Sequence, residues 1–290
     1  MPALAKILFP VDFSGRCLGA ARYMEALCSR FGSEVTLLHV LPPPHYEFSA
    51  LEVGGSVLNE LYAARTRQVR QDLNKLLAEE AAGLKVKRVL LEGDPAKHIV
   101  EFAHTVCADI ILMPTHGYGP FRRFILGSVT AKVLHDADCP VWTGIHLEEA
   151  PAFDRIGFGN VLVAVDLSDD SARALEWAAW FSTSCEAKLW LVHATPSLEG
   201  RTGEYFDPEW RTHLAEEAKQ KIAALQAEVG VKCEVLIESG DAPNVVYSTA
   251  QRLGVDLLVI GRGSAAGIFG RLRTNAYAII RQAPCPVVSV

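Results

Sequence analysis

Asp12 follows a short apolar run, Ile7-Leu8-Phe9-Pro10-Val11, and Gly127-Ser128-Val129 opens an amphipathic stretch after a loop that begins at Met113-Pro114-Thr115-His116-Gly117. These residue types suit a phosphorylated ligand. A helix start presents unpaired backbone N–H groups and the positive end of the helix dipole, which favours anions. A glycine there lets the backbone approach a phosphate without a Cβ in the way. A serine hydroxyl either caps the helix or bonds a phosphate oxygen. A carboxylate that closes a strand can accept hydrogen bonds from ribose hydroxyls, or it can cap the next helix. Both readings stay open for Asp12, and for Gly127-Ser128 an ordinary loop-to-helix junction is the alternative. Val11, Val40 and Met113, each at the end of an apolar run, are of a type to flank an aromatic base, with Pro10 preceding them on the first run. His116 lies inside the glycine loop and either approaches a phosphate or is simply exposed.

The elements that position these residues occur twice. Lys6-Ile7-Leu8-Phe9-Pro10-Val11-Asp12-Phe13-Ser14 returns as Asn160-Val161-Leu162-Val163-Ala164-Val165-Asp166-Leu167-Ser168, and Leu37-Leu38-His39-Val40 returns as Leu191-Val192-His193-Ala194, both at an offset of 154. Gly93-Asp94 returns as Gly240-Asp241, and Cys139-Pro140-Val141 as Cys285-Pro286-Val287. An order kept over four landmarks marks an internal repeat. In each copy strand-like apolar runs alternate with 3.6-residue periodicity, the pattern of a parallel sheet with right-handed helical crossovers. In the first copy this predicts strands at 7–11, 35–40, 87–92, 109–113 and 140–144. The helices expected between them follow Asp12 (with Cys17, Cys28 and Phe31 on the apolar face) and span 58–80, 95–106 (Asp94 as N-cap) and 127–136. Two domains follow, residues 1–147 and 157–290, joined near 147–159, where Pro151, Gly157 and Gly159 interrupt any periodicity.

Bulk properties narrow the function. The chain has 290 residues, half of them hydrophobic, and a net charge of −6. Both halves carry more acidic than basic residues, which argues against a general DNA- or RNA-binding protein. No leader-like stretch opens the sequence and the longest apolar runs are strand-sized, so no membrane partner and a cytoplasmic location are expected. Seven cysteines stand singly with no C-x-x-C pair, which reads as reduced core thiols. His39 and His193 end equivalent strands with no metal-binding set nearby in sequence, and read as packed or hydrogen-bonded. Neither a P-loop nor a G-x-S-x-G nucleophile elbow is present.

At the glycine loop the chain resembles the universal stress protein family, in both halves. Nucleotide-binding members carry Gly, two residues, Gly, nine residues, then Gly-Ser or Gly-Thr; here nine residues separate Gly117 from Gly127-Ser128. The resemblance implies two tandem doubly wound five-stranded parallel-sheet domains of the adenine nucleotide alpha hydrolase-like, Rossmann-like class. It implies that Asp12 holds the ribose, Val40 borders the base, and Gly117, Gly127, Ser128 and Val129 hold phosphates of ATP or AMP, with or without Mg²⁺. It further implies pairing of the fifth strands, as an intramolecular pseudo-dimer or a homodimer. The family's first glycine is Pro114 here, and proline has no N–H to donate. The second copy departs further. Its loop begins Gly261-Arg262-Gly263, one residue shorter, and Arg273-Thr274 stands where Gly127-Ser128 does. Arg273 either fills the phosphate space or brings a charge to it; the second copy is expected to be a mainly structural partner. The expected function is a nucleotide-responsive stress-response module. Slow Mg²⁺-dependent ATP hydrolysis and a structural protein without nucleotide are the alternatives.

Overall fold

A computed structural model describes residues 4–43, 55–78, 82–115, 126–144, 151–196, 208–262 and 274–290. His116 and Gly117 of the loop, and Arg273 of the second copy, lie outside the described residues. Contacts divide the chain into two compact units, the first built mainly on the residues before 142 and the second mainly on those after 156.

In the first unit the elements run β1 (Lys6–Pro10), α1 (Gly15–Phe31), β2 (Glu34–Leu41), α2 (Gly55–Lys75), β3 (Lys85–Glu92), α3 (Pro95–Val106), β4 (Ile110–Leu112), α4 (Ser128–Asp136) and β5 (Val141–Thr143). The strands lie in the order β3-β2-β1-β4-β5. β1 pairs in parallel with both β2 and β4. Burial on both faces explains why β1 and β4 read as unbroken apolar runs: Ile7, Leu8, Phe9, Ile110, Ile111 and Leu112 are all at most 1 % exposed. The edge strand β3 carries Lys85, Lys87 and Arg88, charges that discourage further pairing. Arg88 also donates to the carbonyls of Leu73 and Leu76, at 3.0 and 3.1 Å, and so satisfies groups at the end of α2.

Local chemistry sets the helix ends. Asp94 caps α3, its carboxylate accepting from the Lys97 amide at 2.8 Å with Pro95 at the first helical position. α1 ends at Gly32, whose φ of 66° closes the left-handed cap onto the Cys28 carbonyl. The expected helix at 58–80 begins earlier and ends sooner than its periodicity indicates, at Gly55 and Lys75, with turn geometry at 76–78. Boundaries of this kind depend on where apolar contact stops, which periodicity does not reveal.

The second unit repeats the plan: β6 (Asn160–Ala164), α5 (Ser171–Cys185), β7 (Lys188–Thr195), α6 (Pro208–Val229), β8 (Glu234–Ser239), α7 (Ala242–Leu253), β9 (Leu257–Ile260), α8 (Thr274–Gln282) and β10 (Val287–Ser289). Its strand order, β10-β9-β6-β7-β8, is that of the first unit. β6 pairs in parallel with β7 and β9 as β1 does with β2 and β4. Between the copies, Phe153–Arg155 forms one 3-10 turn. Among the described residues no helix is long and apolar enough to cross a membrane.

Candidate functional site

In an open parallel sheet the strand order reverses at one point, and the crevice beyond the carboxyl ends of the flanking strands is where ligands sit. In the first unit that point lies between β1 and β4. A cavity of about 340 Å³ opens there, within the range of small-molecule sites. Pro10, Val11 and Asp12 line it from the end of β1, and Leu38, His39 and Val40 from β2. Met113 and Pro114 close it beyond β4, and Gly127, Ser128, Val129 and Thr130 close it at the start of α4. Nine of the eleven residues singled out from sequence therefore border one space. His116 and Gly117 are the two outside the described residues.

Asp12 is held by its own loop. Phe13 takes φ of 61°, a left-handed conformation that costs a non-glycine residue about 1–2 kcal/mol. The bend turns the chain so that Asp12 Oδ1 accepts from the Ser14 amide at 3.0 Å, the Ser14 hydroxyl at 2.6 Å and the Cys17 thiol at 3.1 Å. The N-cap position of α1 belongs to Ser14, and Asp12 sits two residues ahead of it. Its carboxylate is thus fixed in direction before any ligand arrives. Burial, then the Asp12 charge, pushes the Cys17 thiol up to about 12, so it remains a neutral donor.

His39 Nδ1 lies 2.7 Å from the Val11 carbonyl, so that nitrogen carries the proton and donates. The Phe13 ring packs on the imidazole with 4.7 Å between centroids. Burial lowers the His39 pKa, although the Val11 bond and Asp12 oppose the shift. The neutral ring therefore presents Nε2 as an acceptor.

The loop after β4 is anchored at both ends. The Gly127 amide donates to the Thr115 carbonyl at 2.8 Å, and Thr130 Oγ1 donates to the Pro114 carbonyl at 3.1 Å. Gly127 is the N-cap residue of α4, at φ −59° and ψ 145°. Its amide is therefore spent, and the helix-start donors begin with Ser128, Val129 and Thr130, whose amides have no carbonyl four residues back within the helix. Ser128 is exposed and Val129 half-buried. The base-sized part of the cavity is apolar: Val11, Val40, Met113 and Ile99 are each buried.

Leu38, Pro42, Pro95, Ile99 and Thr130 also line the cavity, although sequence reading did not single them out. Their periodic spacing looks the same as that of ordinary core residues. Cys17 was legible only as a core thiol. The signal available was that its repeat partner, Ser171, is also a small donor.

The second unit carries a cavity too, of about 420 Å³, at the corresponding strand ends. Asp166 Oδ1 accepts from the Ser168 amide at 3.0 Å, the Ser168 hydroxyl at 2.5 Å and Ser171 Oγ at 3.3 Å. Leu167 takes φ of 60°, and His193 Nδ1 lies 2.8 Å from the Val165 carbonyl. The expectation of a mainly structural second copy therefore meets open space at its strand ends.

Comparison with known proteins agrees with this duplicated plan. The model of the universal stress protein family matches twice, over residues 4–143 and 157–290. A universal stress protein of Mycolicibacterium smegmatis is 26% identical over 98% of this chain and 96% of its own length. One from Methanocaldococcus jannaschii is 35% identical over 47% of this chain and 79% of its own. The crystal structure of a universal stress protein from Archaeoglobus fulgidus covers 99% of this chain and 98% of its own at a TM-score of 0.70, with 22% identity, a likeness of fold. The chain belongs to the universal stress protein family, with one copy of the family's domain in each half.

Proposed function

We propose that the first unit binds an adenine nucleotide, ATP or AMP, and that the chain acts as a nucleotide-responsive regulatory module in a stress response. One observation carries the reading: a carboxylate fixed in direction and the open start of a helix face the same cavity. Asp12 would take the ribose hydroxyls. The base would lie between Val11, Val40, Met113 and Ile99, with His39 Nε2 as a nearby acceptor. The phosphates would meet the Ser128 hydroxyl and the amides of Ser128 and Val129, where the helix dipole favours negative charge. Pro114 supplies no amide, but its carbonyl holds Thr130 and so keeps the loop against α4. Among the described residues no group of three acidic, histidine or cysteine side chains is placed to hold a metal, so a magnesium ion would accompany the ligand's own phosphates.

Mass spectrometry of ligand released from the purified, denatured chain should return an adenine nucleotide. Calorimetric titration should give micromolar affinity for ATP or AMP, lost in Gly127→Arg. Extracts free of adenine nucleotide together with an unchanged titration in that variant would overturn the reading.

A further inference from the structure

A further cavity of the first unit lies away from the carboxyl ends of the strands. It holds about 350 Å³ and is lined by the first halves of β1 and β2, by the outer strand β3 and by the last turns of α3. Parallel register sets its floor. Lys6 lies beside Glu34; two residues on, Leu8 lies beside Thr36, which lies beside Lys87. Side chains two apart on a strand share a face, so the floor at Leu8 and Thr36 begins about 7 Å inside the charged rim, and Val89 continues it on β3. Phe102 of α3 closes the groove from the other side; it and Val89 are both half-buried.

The second unit treats the same place differently. Trp190 stands where Thr36 does, beside Glu234 as Thr36 is beside Lys87. Lys188 covers its ring, 3.8 Å from the centroid. The α7 residue in the place of Phe102 is Thr249, fully buried. An indole on the strand thus goes with a small helix residue in one copy, whereas in the other a small strand residue leaves an aromatic ring half-exposed over open space. That space has an apolar floor, and an apolar occupant gains by covering it.

The rim is also reversed in charge. Glu34 pairs with Lys87 in the first unit, and Lys188 with Glu234 at 2.6 Å in the second. In the first unit Lys87 hydrogen-bonds Glu34 and, together with the charges of Lys6 and Lys85, holds that carboxylate below its ordinary range. Lys6 Nζ donates to the Val106 carbonyl at 3.0 Å and so offsets the negative end of α3. A second carboxylate, Asp109, accepts from the Lys6 amide at 2.8 Å and does not line the cavity. Three ammonium groups against two carboxylates leave a cationic excess, which favours an anion at the rim.

We propose that this groove binds a medium-chain aliphatic carboxylate, its head on Lys87 and Lys6 and its chain along Leu8, Val89 and Phe102. The exposed thiol of Cys107 lines the same cavity and so reports its occupancy. In the full chain, octanoate should slow maleimide labelling of Cys107, followed by mass spectrometry of its peptide, by about fivefold or more at saturation, with Cys233 of the second unit unaffected. Octylamine, which carries the opposite charge on the same chain, should not protect. Butyrate should need roughly tenfold more ligand or beyond, because it lacks methylenes to cover the floor. Thr36→Trp, which places the second unit's residue here, should abolish protection in a chain that thermal melts show to be folded. Lys87→Gln, at an exposed side chain, should raise the octanoate concentration required by about fivefold. If Thr36→Trp unfolds the chain, Lys87→Gln alone decides. The inference falls if millimolar octanoate leaves Cys107 labelling unchanged, if octylamine protects equally, or if the folded variants are protected as the unmodified chain is. Nucleotide plays no part in these measurements, so their failure leaves the reading of the strand-end site standing.

Discussion

Removing the Asp12 carboxylate tests the first site most directly. An ionised acceptor contributes roughly 1.5–3 kcal/mol per hydrogen bond. Asp12 is half-buried, and its Oδ1 already serves Ser14 and Cys17, so a ribose would be held chiefly through what remains of the carboxylate. A loss of about 2–3 kcal/mol in Asp12→Ala corresponds to roughly 30- to 150-fold weaker binding, at about 1.4 kcal/mol per decade. Asp12→Asn keeps an oxygen for the Ser14 amide and loses the charge; roughly tenfold is expected.

The assay is calorimetric titration with ATP and 2′-deoxy-ATP against both variants and the unmodified chain. The unmodified chain should prefer ATP about tenfold, and Asp12→Ala should scarcely distinguish the two ligands. This cycle isolates the carboxylate–hydroxyl contact from any general loosening of the loop. The Ala variant also frees the donors of Ser14 and Cys17, at a stability cost of about 1–2 kcal/mol that a melt will register. If the unmodified chain ignores the 2′-hydroxyl, or if all three proteins share one affinity for ATP, the ribose role of Asp12 is refuted.

Cys17→Ser should hold nucleotide affinity within about twofold, because serine fills this place beside Asp166, whereas Cys17→Ala should weaken it several-fold by removing one donor from the carboxylate. Thiol titration at pH 8 should label the exposed Cys107 quickly and spare Cys17 and Cys285, which burial pushes up to about 12. Asp94→Ala should cost about 1 kcal/mol in urea unfolding, and Asp241→Ala clearly less, since only Asp94 makes a side-chain cap bond. The folded-state pKa of His39 lies below its ordinary 6.5, so between those two values the unfolded chain binds more protons. That contribution to stability is complete above about pH 6.5 and is lost as pH falls through the folded value. His39→Gln should flatten this part of a stability–pH curve measured by urea unfolding.

The duplicated sheet was legible because parallel strands buried on both faces leave unbroken apolar runs, and the repeat supplies an independent check on each run. The switch-point residues were legible for a related reason: Asp12, Val40, Met113 and Gly127-Ser128 each mark a strand or helix end, and strand ends converge in this topology. Hydrogen-bond partners were not legible. Nothing in the string of letters says that the Gly127 amide is spent on Thr115, or that a core thiol turns toward Asp12. Both depend on the torsions of one or two loop residues, and Phe13 at φ 61° belongs to no common pattern. The second cavity was missed for a different reason. Reading Arg273-Thr274 against Gly127-Ser128 weighs the phosphate end alone, whereas the cavity is also lined from β6, β7 and α7.

The strain at Phe13 and Leu167 bears on why both copies keep their carboxylates. A left-handed β-unbranched residue costs about 1–2 kcal/mol, which glycine would relieve at the expense of a half-buried side chain, in Phe13 the ring packed on His39. Two copies that differ in loop length, helix-start residues and cavity lining have both kept a bulky residue there, at φ 61° and 60°. In each the turn delivers the same result, an aspartate oxygen held by the backbone and hydroxyl of the serine two residues on. A helix needs no such device to begin, as α3 shows with a single ordinary cap from Asp94. The two turns are better explained by what they aim than by what they stabilise. Phe13→Gly should therefore lower the melting temperature by no more than the loss of the Phe13–His39 ring contact explains, while weakening nucleotide binding, because a freed turn no longer fixes the carboxylate. A variant that melts many degrees lower yet binds as before would show that the turn serves the fold alone.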